Sequence, residues 1–240
     1  MTKNNLIFVI PLYNEENVIF QSFRNLDDAF SDLDRLYLAV NDKSTDSSLE
    51  CLLKISKIIP IQVINNEVNL GHGQSLMKGI DAAIEKCPEF VITLDGDGHF
   101  QGKEVRTLFD FIRESASVEI VEGVRTGRKE SFFRKPVSLI TRLLVLIKTR
   151  CKVDDANTPL RVYRTNTLKE IYKNIPRDTI VPNLHISIES RNLRKIIEQK
   201  EVSWQNLKGR NVSSTWKQER IFLPPKSFVV FCLNAIKEFF

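Results

Sequence analysis

The chain has 240 residues, 42% hydrophobic and 27% charged, with nine Gly and nine Pro. This composition is typical of a globular protein and excludes collagen-like and disordered chains. Four dispersed cysteines without a CxxC pair argue against a disulfide framework or a structural zinc site. Basic residues outnumber acidic ones by 35 to 30, and nine of them lie in 125–152 beside one acid, Glu130.

Neither a signal peptide nor a membrane span is predicted. The chain opens with the polar stretch MTKNN, which is unlike a secretory leader. No run reaches the roughly 18 apolar residues of a membrane-spanning helix. We therefore expect a cytoplasmic protein with one basic region.

The first half of the chain alternates apolar runs with amphipathic stretches. Continuous apolar runs predict buried parallel strands, here over 6–12, 35–41, 61–65, 90–95 and 118–124. Apolar residues at helical spacing predict helices over 76–84 and 105–112. This alternation is typical of an α/β protein with a mostly parallel sheet.

The second half is less regular. We expect helices over 134–150 and 183–198 and short strands over 160–164 and 202–204, followed by an apolar C-terminal segment. The pattern gives no clear domain boundary.

Polar clusters follow three of the predicted strands, over 13–16, 41–46 and 95–99. Ligands of open parallel sheets bind beyond the carboxyl ends of the strands. In the last cluster only Gly96 separates Asp95 from Asp97, and two carboxylates so close repel each other unless a cation joins them. Mg²⁺ or Mn²⁺ suits such a pair, with substrate phosphates completing its shell. The alternative is an ordinary Gly/Asp-rich turn.

Other chemistries lack their sequence patterns. The stretch 71–76 lacks the third glycine of a dinucleotide fingerprint, and no GxxxxGK[ST], GxSxG or HExxH motif occurs. We expect His72 and His185 to be structural or solvated.

Seven stretches in order carry a resemblance to a known family. They are VIPLYNEE (9–16), VNDKSTDSS (40–48), NLGHGQSLMKG (69–79), VITLDGDGHFQ (91–101), EGVRTGR (122–128), DDANTPLRVYR (154–164) and NLKGRNVSSTWK (206–217). Together they resemble the family 2 glycosyltransferases, most of all the branch of dolichol-phosphate mannose synthase and bacterial polyprenyl-phosphate glycosyltransferases.

The resemblance implies a GT-A fold, a Rossmann-like, mostly parallel sheet flanked by helices, with a C-terminal helical elaboration. It places a glycosyltransferase domain over 1–220, with a nucleotide-sugar-binding half (1–125) and an acceptor-side half (126–220). The apolar segment 221–240 would then be an interfacial helix.

The resemblance also assigns roles to residues. The nucleobase and ribose would be held by Pro11, Tyr13, Glu15, Val40 and Asp42. Asp97 would coordinate the metal, Asp95 would contact the ribose or the metal, and Gly96 would lie between them in the nucleotide site. Phosphates would be faced by Arg125, Arg128 and Arg210.

Four positions depart from the family pattern. Asn41 replaces the first acid of a DD pair, Lys43 replaces Gly, and Ser213 replaces Gly in the late motif. His99 stands where the family has a metal-facing Gln, so it either ligates the metal or faces solvent.

The implied reaction is metal-dependent, inverting transfer of a sugar from a UDP- or GDP-sugar. The acceptor is either a polyprenyl phosphate, which is already ionised, or a saccharide hydroxyl in cell-surface polysaccharide synthesis, which needs a base. For the base we name Asp155, with Asp154 as the rival.

The stretch 125–152 favours the lipid acceptor and a position at the inner face of the membrane, because basic residues stand beside the apolar residues of a predicted helix. The basic residues are Arg128, Lys129, Arg134, Lys135 and Arg142. The alternative is that the apolar face of this helix is core. The C-terminal segment would lie in the interface or contact a second copy of the chain.

Two other classes of function fit less well. A nucleic-acid-binding protein would pair its basic patch with stacking aromatic residues, whereas the aromatic residues here are mostly Phe in apolar runs. A catalytically dead sugar-nucleotide binder is disfavoured by the intact Asp95, Asp97 and Arg125.

Overall fold

The computed structural model describes residues 5–127, 134–203 and 226–239. The strands of this part are β1 (Leu6–Leu12), β2 (Arg35–Asn41), β3 (Ile61–Asn65), β4 (Phe90–Thr93), β5 (Ile120–Thr126), β6 (Arg161–Arg164) and β7 (Ile197–Ser203). The helices are α1 (Ile19–Ala29), α2 (Ser48–Ile55), α3 (His72–Glu85), α4 (Gly102–Glu114), α5 (Arg134–Thr149), α6 (Thr165–Tyr172), α7 (Pro182–Asn192) and α8 (Lys226–Lys237).

The seven strands form one sheet in the order β3-β2-β1-β4-β6-β5-β7. Strands β1 to β4 are parallel, and β7 is parallel to β5. Only β6 runs against its neighbours, β4 and β5. The predicted mostly parallel α/β sheet with flanking helices is confirmed.

Helices cover both faces of the sheet, which explains why the central strands are apolar without alternation. On one face Phe8 and Ile10 of β1 pack with apolar residues of α1, α2 and α4. On the other face Ile7 and Val9 pack with residues of α3, α6 and α7. A third cluster joins α5, α7 and α8 beside the sheet.

The predicted helix over 183–198 is too long. Helix α7 ends at Asn192, and Arg194 adopts a positive φ of 54°. Its amide donates to the carbonyl of Arg191, closing the last turn. The residues that follow pair with β5 along the whole of β7. The edge of the sheet offers backbone hydrogen bonds to this segment, and the spacing of apolar residues along the sequence does not reveal that edge.

Other element boundaries shift by a few residues. Strand β4 ends at Thr93, so Asp95 lies in the turn beyond it, and β5 runs from Ile120 to Thr126. The short predicted strand over 202–204 is the end of β7; Trp204 lies outside the described residues. The C-terminal segment contains a helix as predicted, while the division at residue 220 stays a prediction because 204–225 are not described.

Candidate functional site

The loops that follow β1, β2 and β4 meet at the carboxyl edge of the sheet. The amide of Asp42 donates to the carbonyl of Leu12 at 3.0 Å, and the amide of Gly96 donates to that of Pro11 at 3.2 Å. A Cβ on residue 96 would lie 2.8 Å from that of Leu12. Glycine is therefore required for the turn after β4 to lie this close to β1.

Side chains join the loop after β1 to the loop after β2. Asn14 exchanges hydrogen bonds with Thr45, and the amide of Glu15 donates to Ser48 Oγ at 2.7 Å. The Glu16 carboxylate accepts from the amide of Ser47. Glu15 is buried, whereas Tyr13 is half-buried and lines the edge. The loops after β1 and β2 are thus held together as one unit.

Asp42 is buried and organises the turn that follows β3. Its carboxylate accepts from the amides of Leu70 at 2.8 Å and Gly71 at 2.9 Å, and from Asn66 Nδ2 at 3.0 Å. Any effect of Asp42 on a bound base must therefore include an effect on this turn.

Val40 and Pro11 are both buried within their strands. Val40 is fully buried, and its Cγ2 is 3.0 Å from the position that a Cβ on Gly79 would take. Pro11 is buried in β1, with its carbonyl bonded to Gly96. The role predicted for both residues in holding the nucleobase stays a prediction.

The turn after β4 carries two carboxylates, each facing a histidine. Asp97 Oδ2 is 3.2 Å from His99 Nε2, and the amide of His99 donates to Asp97 Oδ1. Asp95 Oδ1 is 3.3 Å from Nε2 of His72, the first residue of α3, without hydrogen-bond geometry. The prediction that His72 is structural or solvated did not include this contact.

The carboxylate oxygens of Asp95 and Asp97 fit a hard divalent cation that takes its remaining ligands from a substrate and from water. Asp95 Oδ1 is buried and accepts no hydrogen bond within the described residues. No group of three or more metal-binding side chains occurs in the described part of the chain. A cation held by Asp95 and Asp97 would need further oxygen ligands, as Mg²⁺ or Mn²⁺ takes from phosphates and water.

Arg125 and Asp155 form an ion pair at the end of β5. Arg125 Nε and one terminal nitrogen donate to the two Asp155 oxygens at 2.6 and 3.0 Å. Burial raises the pKa of Asp155, but the hydrogen bonds and charge of Arg125 more than offset this and hold it below its usual value. A low pKa makes this carboxylate a weak base.

The residues at the acceptor side are only partly described. Arg128 and Arg210, predicted to face phosphates, lie outside the described residues, as do the side chains of Arg134 and Lys135.

A buried ionic network in the same half has no counterpart among the predicted site residues. Arg161 is fully buried, and it donates to Glu122, Asn183 and Ser187. Arg191 donates to the other oxygen of Glu122 at 2.7 Å. Arg161 and Glu122 both occur in the quoted motifs, but only the fold shows that they are paired.

Helix α5 presents an apolar stripe to solvent. Five exposed side chains at helical spacing form this α5 stripe: Leu139, Ile140, Leu143, Leu146 and Ile147. Leu144 and Val145 face the interior. The alternative that the whole apolar face is core therefore fails for the stripe. No helix in the described ranges is both long and apolar enough to cross a bilayer.

Solved structures share this fold at low sequence identity. The chain aligns with glucosyl-3-phosphoglycerate synthase of Mycobacterium tuberculosis, solved with UDP, at a TM-score of 0.66 and 15% identity, covering 98% of this chain and 79% of that one. It aligns with a mannosyltransferase of Pyrobaculum calidifontis, solved with GDP-mannose and Mn²⁺, at 0.59 and 14%, covering 86% and 58%. These likenesses confirm the GT-A fold.

The chain belongs to glycosyl transferase family 2, whose sequence profile matches residues 7–177, more than half of its length. It is 29% identical over 180 residues to the undecaprenyl-phosphate 4-deoxy-4-formamido-L-arabinose transferase of Salmonella choleraesuis strain SC-B67. The transferase of the same name from Salmonella typhimurium strain LT2 is also 29% identical. Each of the two alignments covers 73% of this chain and 54% of the relative. The chain thus spans about half the length of the curated relatives that it matches.

Proposed function

We propose that this protein transfers a sugar from a UDP- or GDP-sugar to a polyprenyl phosphate at a membrane surface, with inversion at the anomeric carbon. The observation that carries the proposal is the Asp95–Asp97 turn at the carboxyl edge of the sheet, beside the joined loops after β1 and β2. Family membership and the names of the Salmonella relatives support the reaction and the acceptor class.

The donor site is built from the first half of the chain. Tyr13 and the surface formed by 13–16 and 44–48 border the space for the base and ribose, while Asp42 fixes the turn after β3. Asp95 and Asp97 would hold Mg²⁺ or Mn²⁺, which stabilises the charge of a departing nucleoside diphosphate. Mn²⁺ in the structure of the Pyrobaculum mannosyltransferase supports this choice of ion.

The ion pair of Asp155 with Arg125 favours a lipid phosphate over a saccharide hydroxyl as the acceptor. A hydroxyl acceptor must lose a proton, and a useful base has a pKa near the working pH. Arg125 holds the pKa of Asp155 low and occupies both of its oxygens. A phosphate acceptor is already ionised and needs cations around it, so Arg128 and Arg210 suit it as bidentate phosphate donors.

The α5 stripe supports a position at the membrane surface. An exposed apolar stripe on a helix rich in Lys and Arg is typical of helices that lie in an anionic bilayer interface. Leu139, Leu143 and Ile147 are 66%, 51% and 64% exposed. The stretch 134–152 carries six basic and no acidic residues, which matches such a surface in charge.

One transfer assay tests both the acceptor and the surface. Polyprenyl phosphate in phosphatidylglycerol vesicles is compared with soluble saccharides, using UDP- and GDP-sugars with Mn²⁺. We expect transfer to the lipid, reduced about tenfold or more in the double variant Leu143→Gln/Ile147→Gln, because each buried apolar side chain contributes roughly 1.5–3 kcal/mol. Ile58→Gln changes an exposed residue of another region and should transfer normally.

Two results would contradict the proposal. Efficient transfer to a soluble sugar with none to polyprenyl phosphate would replace the acceptor. Equal lipid transfer by wild type and the double variant, with equal sedimentation on the vesicles, would remove the α5 stripe from the membrane contact.

A further inference from the structure

Segment 177–181 lies between the C-terminal helix and the first turn of α3, and Thr179 bonds to both. Its hydroxyl donates to Oε2 of Glu238, directly after α8, at 2.5 Å. Its carbonyl accepts from Nε2 of Gln74, in the first turn of α3, at 2.9 Å. Thr179 is buried, so water does not compete freely for these bonds.

Ile180 contacts the same two elements in the same way. Its amide donates to Oε1 of Glu238 at 2.9 Å. Its carbonyl oxygen lies against Gly73 in the first turn of α3, where an added Cβ would be only 2.6 Å away. Two consecutive residues therefore connect Glu238 to the start of α3.

The end of α8 is itself fixed to two other helices. Glu238 Oε2 lies 3.0 Å from Nε2 of His185 in α7. The Phe239 ring stacks on His185 with centroids 4.4 Å apart, and Lys148 of α5 donates to the Phe239 carbonyl at 2.9 Å. Glu238 thus has a defined position from which to hold the segment.

The first turn of α3 reaches the donor site at two points. His72 lies 3.3 Å from Asp95 Oδ1, and the amide of Gly71 binds the Asp42 carboxylate. The placement of Asp42 and of the partner of Asp95 therefore depends on where this turn lies. The turn touches segment 177–181 through Gly73 and Gln74.

We propose that Glu238 is a positioning residue for the donor site: by holding Thr179 and Ile180 against the first turn of α3, it keeps His72 beside Asp95. Helix α8 then helps to position the nucleotide site, in addition to packing against α5 and α7. That the site binds a nucleotide-sugar rests on the proposed function, whereas the contacts that lead from Glu238 to His72 do not.

Hydrogen–deuterium exchange and nucleotide calorimetry test the two parts separately. Glu238→Ala is compared with Glu238→Gln, which keeps one carbonyl acceptor, and with Lys237→Ala, its exposed neighbour. We expect Glu238→Ala to speed exchange in 71–78 and to weaken binding of UDP or GDP with Mn²⁺ by roughly 2- to 30-fold, the range for substitutions that couple two sites. Glu238→Gln should recover part of both effects, and Lys237→Ala should match wild type.

A second variant approaches the link from the other side. Gln74→Ala leaves α8 in place and should speed exchange in 177–181, and its effect on nucleotide affinity should be less than additive with that of Glu238→Ala. Wild-type exchange in 71–78 in the Glu238→Ala protein, or fully additive effects of the two substitutions, would overturn the proposal. If wild type binds neither nucleotide, the proposed function fails, and the exchange data still decide whether Glu238 positions α3.

Discussion

Carboxylates at the ends of β2 and β4 differ from those on the β5 side of the sheet in what faces them. Backbone amides and Asn66 face Asp42, and imidazole rings face Asp95 and Asp97. On the other side, guanidinium groups face the carboxylates. Glu122 contacts Arg161 and Arg191, and Asp155 contacts Arg125.

We propose that this difference separates a binding surface from a framework. A carboxylate paired with a buried arginine is neutralised within the protein, and both groups lose their hydration unless the pair stays intact. Burial raises the pKa of Glu122, but the two arginines more than offset this and hold it below its usual value. Asp95 Oδ1, by contrast, is buried and accepts no hydrogen bond within the described residues, and the proposed function assigns a cation to it.

The strongest test of the framework removes Arg161. Arg161→Met leaves Glu122 charged and buried with one guanidinium fewer, so we expect a loss of about 3–5 kcal/mol in the free energy of unfolding. Urea denaturation followed by circular dichroism measures it. The control Lys54→Met breaks an exposed pair with Glu50 and should cost less than about 1 kcal/mol. Equal stability of the two variants would contradict the comparison.

A substitution in the binding surface should instead impair transfer and leave the stability of the fold unchanged. Asp97→Ala removes a group whose proposed partner is the cation, so the fold should persist while transfer slows by about 10²–10³-fold or more, equivalent to 3–4 kcal/mol in the barrier. Product formation with and without Mn²⁺ measures this, alongside thermal unfolding. Asp32→Ala, which loses an exposed pair with Arg106, is the matched control. Normal transfer by Asp97→Ala, or by wild type in excess chelator, would remove the metal from the mechanism.

The sequence predicts contacts within one turn better than contacts between elements that are distant along the chain. The DGDGH turn is local, so adjacent residues already place Asp95 and Asp97 together. The contacts of Glu122 with Arg161 and of Arg125 with Asp155 join residues 39 and 30 positions apart. A pattern of residue types cannot reveal such pairs before β5 and β6 are known to be neighbours. The same reason hides the contact of His72 with Asp95 and the end of α7 at Asn192.

The smallest expected effect on stability is that of Asp155→Asn. This variant also distinguishes a framework role of Asp155 from a catalytic one. Because Arg125 lowers the pKa of Asp155, the pair stabilises the folded protein above the unfolded pKa of about 3.9 and loses that contribution as the pH falls through the lower folded value. Asp155→Asn should therefore cost about 1.5–3 kcal/mol near pH 7, the usual range for a charged hydrogen bond, and progressively less below about pH 4. Urea unfolding at a series of pH values measures this.

The rate of transfer to polyprenyl phosphate should fall only modestly in Asp155→Asn, whereas loss of a general base would slow transfer about 10²–10⁴-fold. A drop of that size at unchanged stability would make Asp155 the base and favour a hydroxyl acceptor.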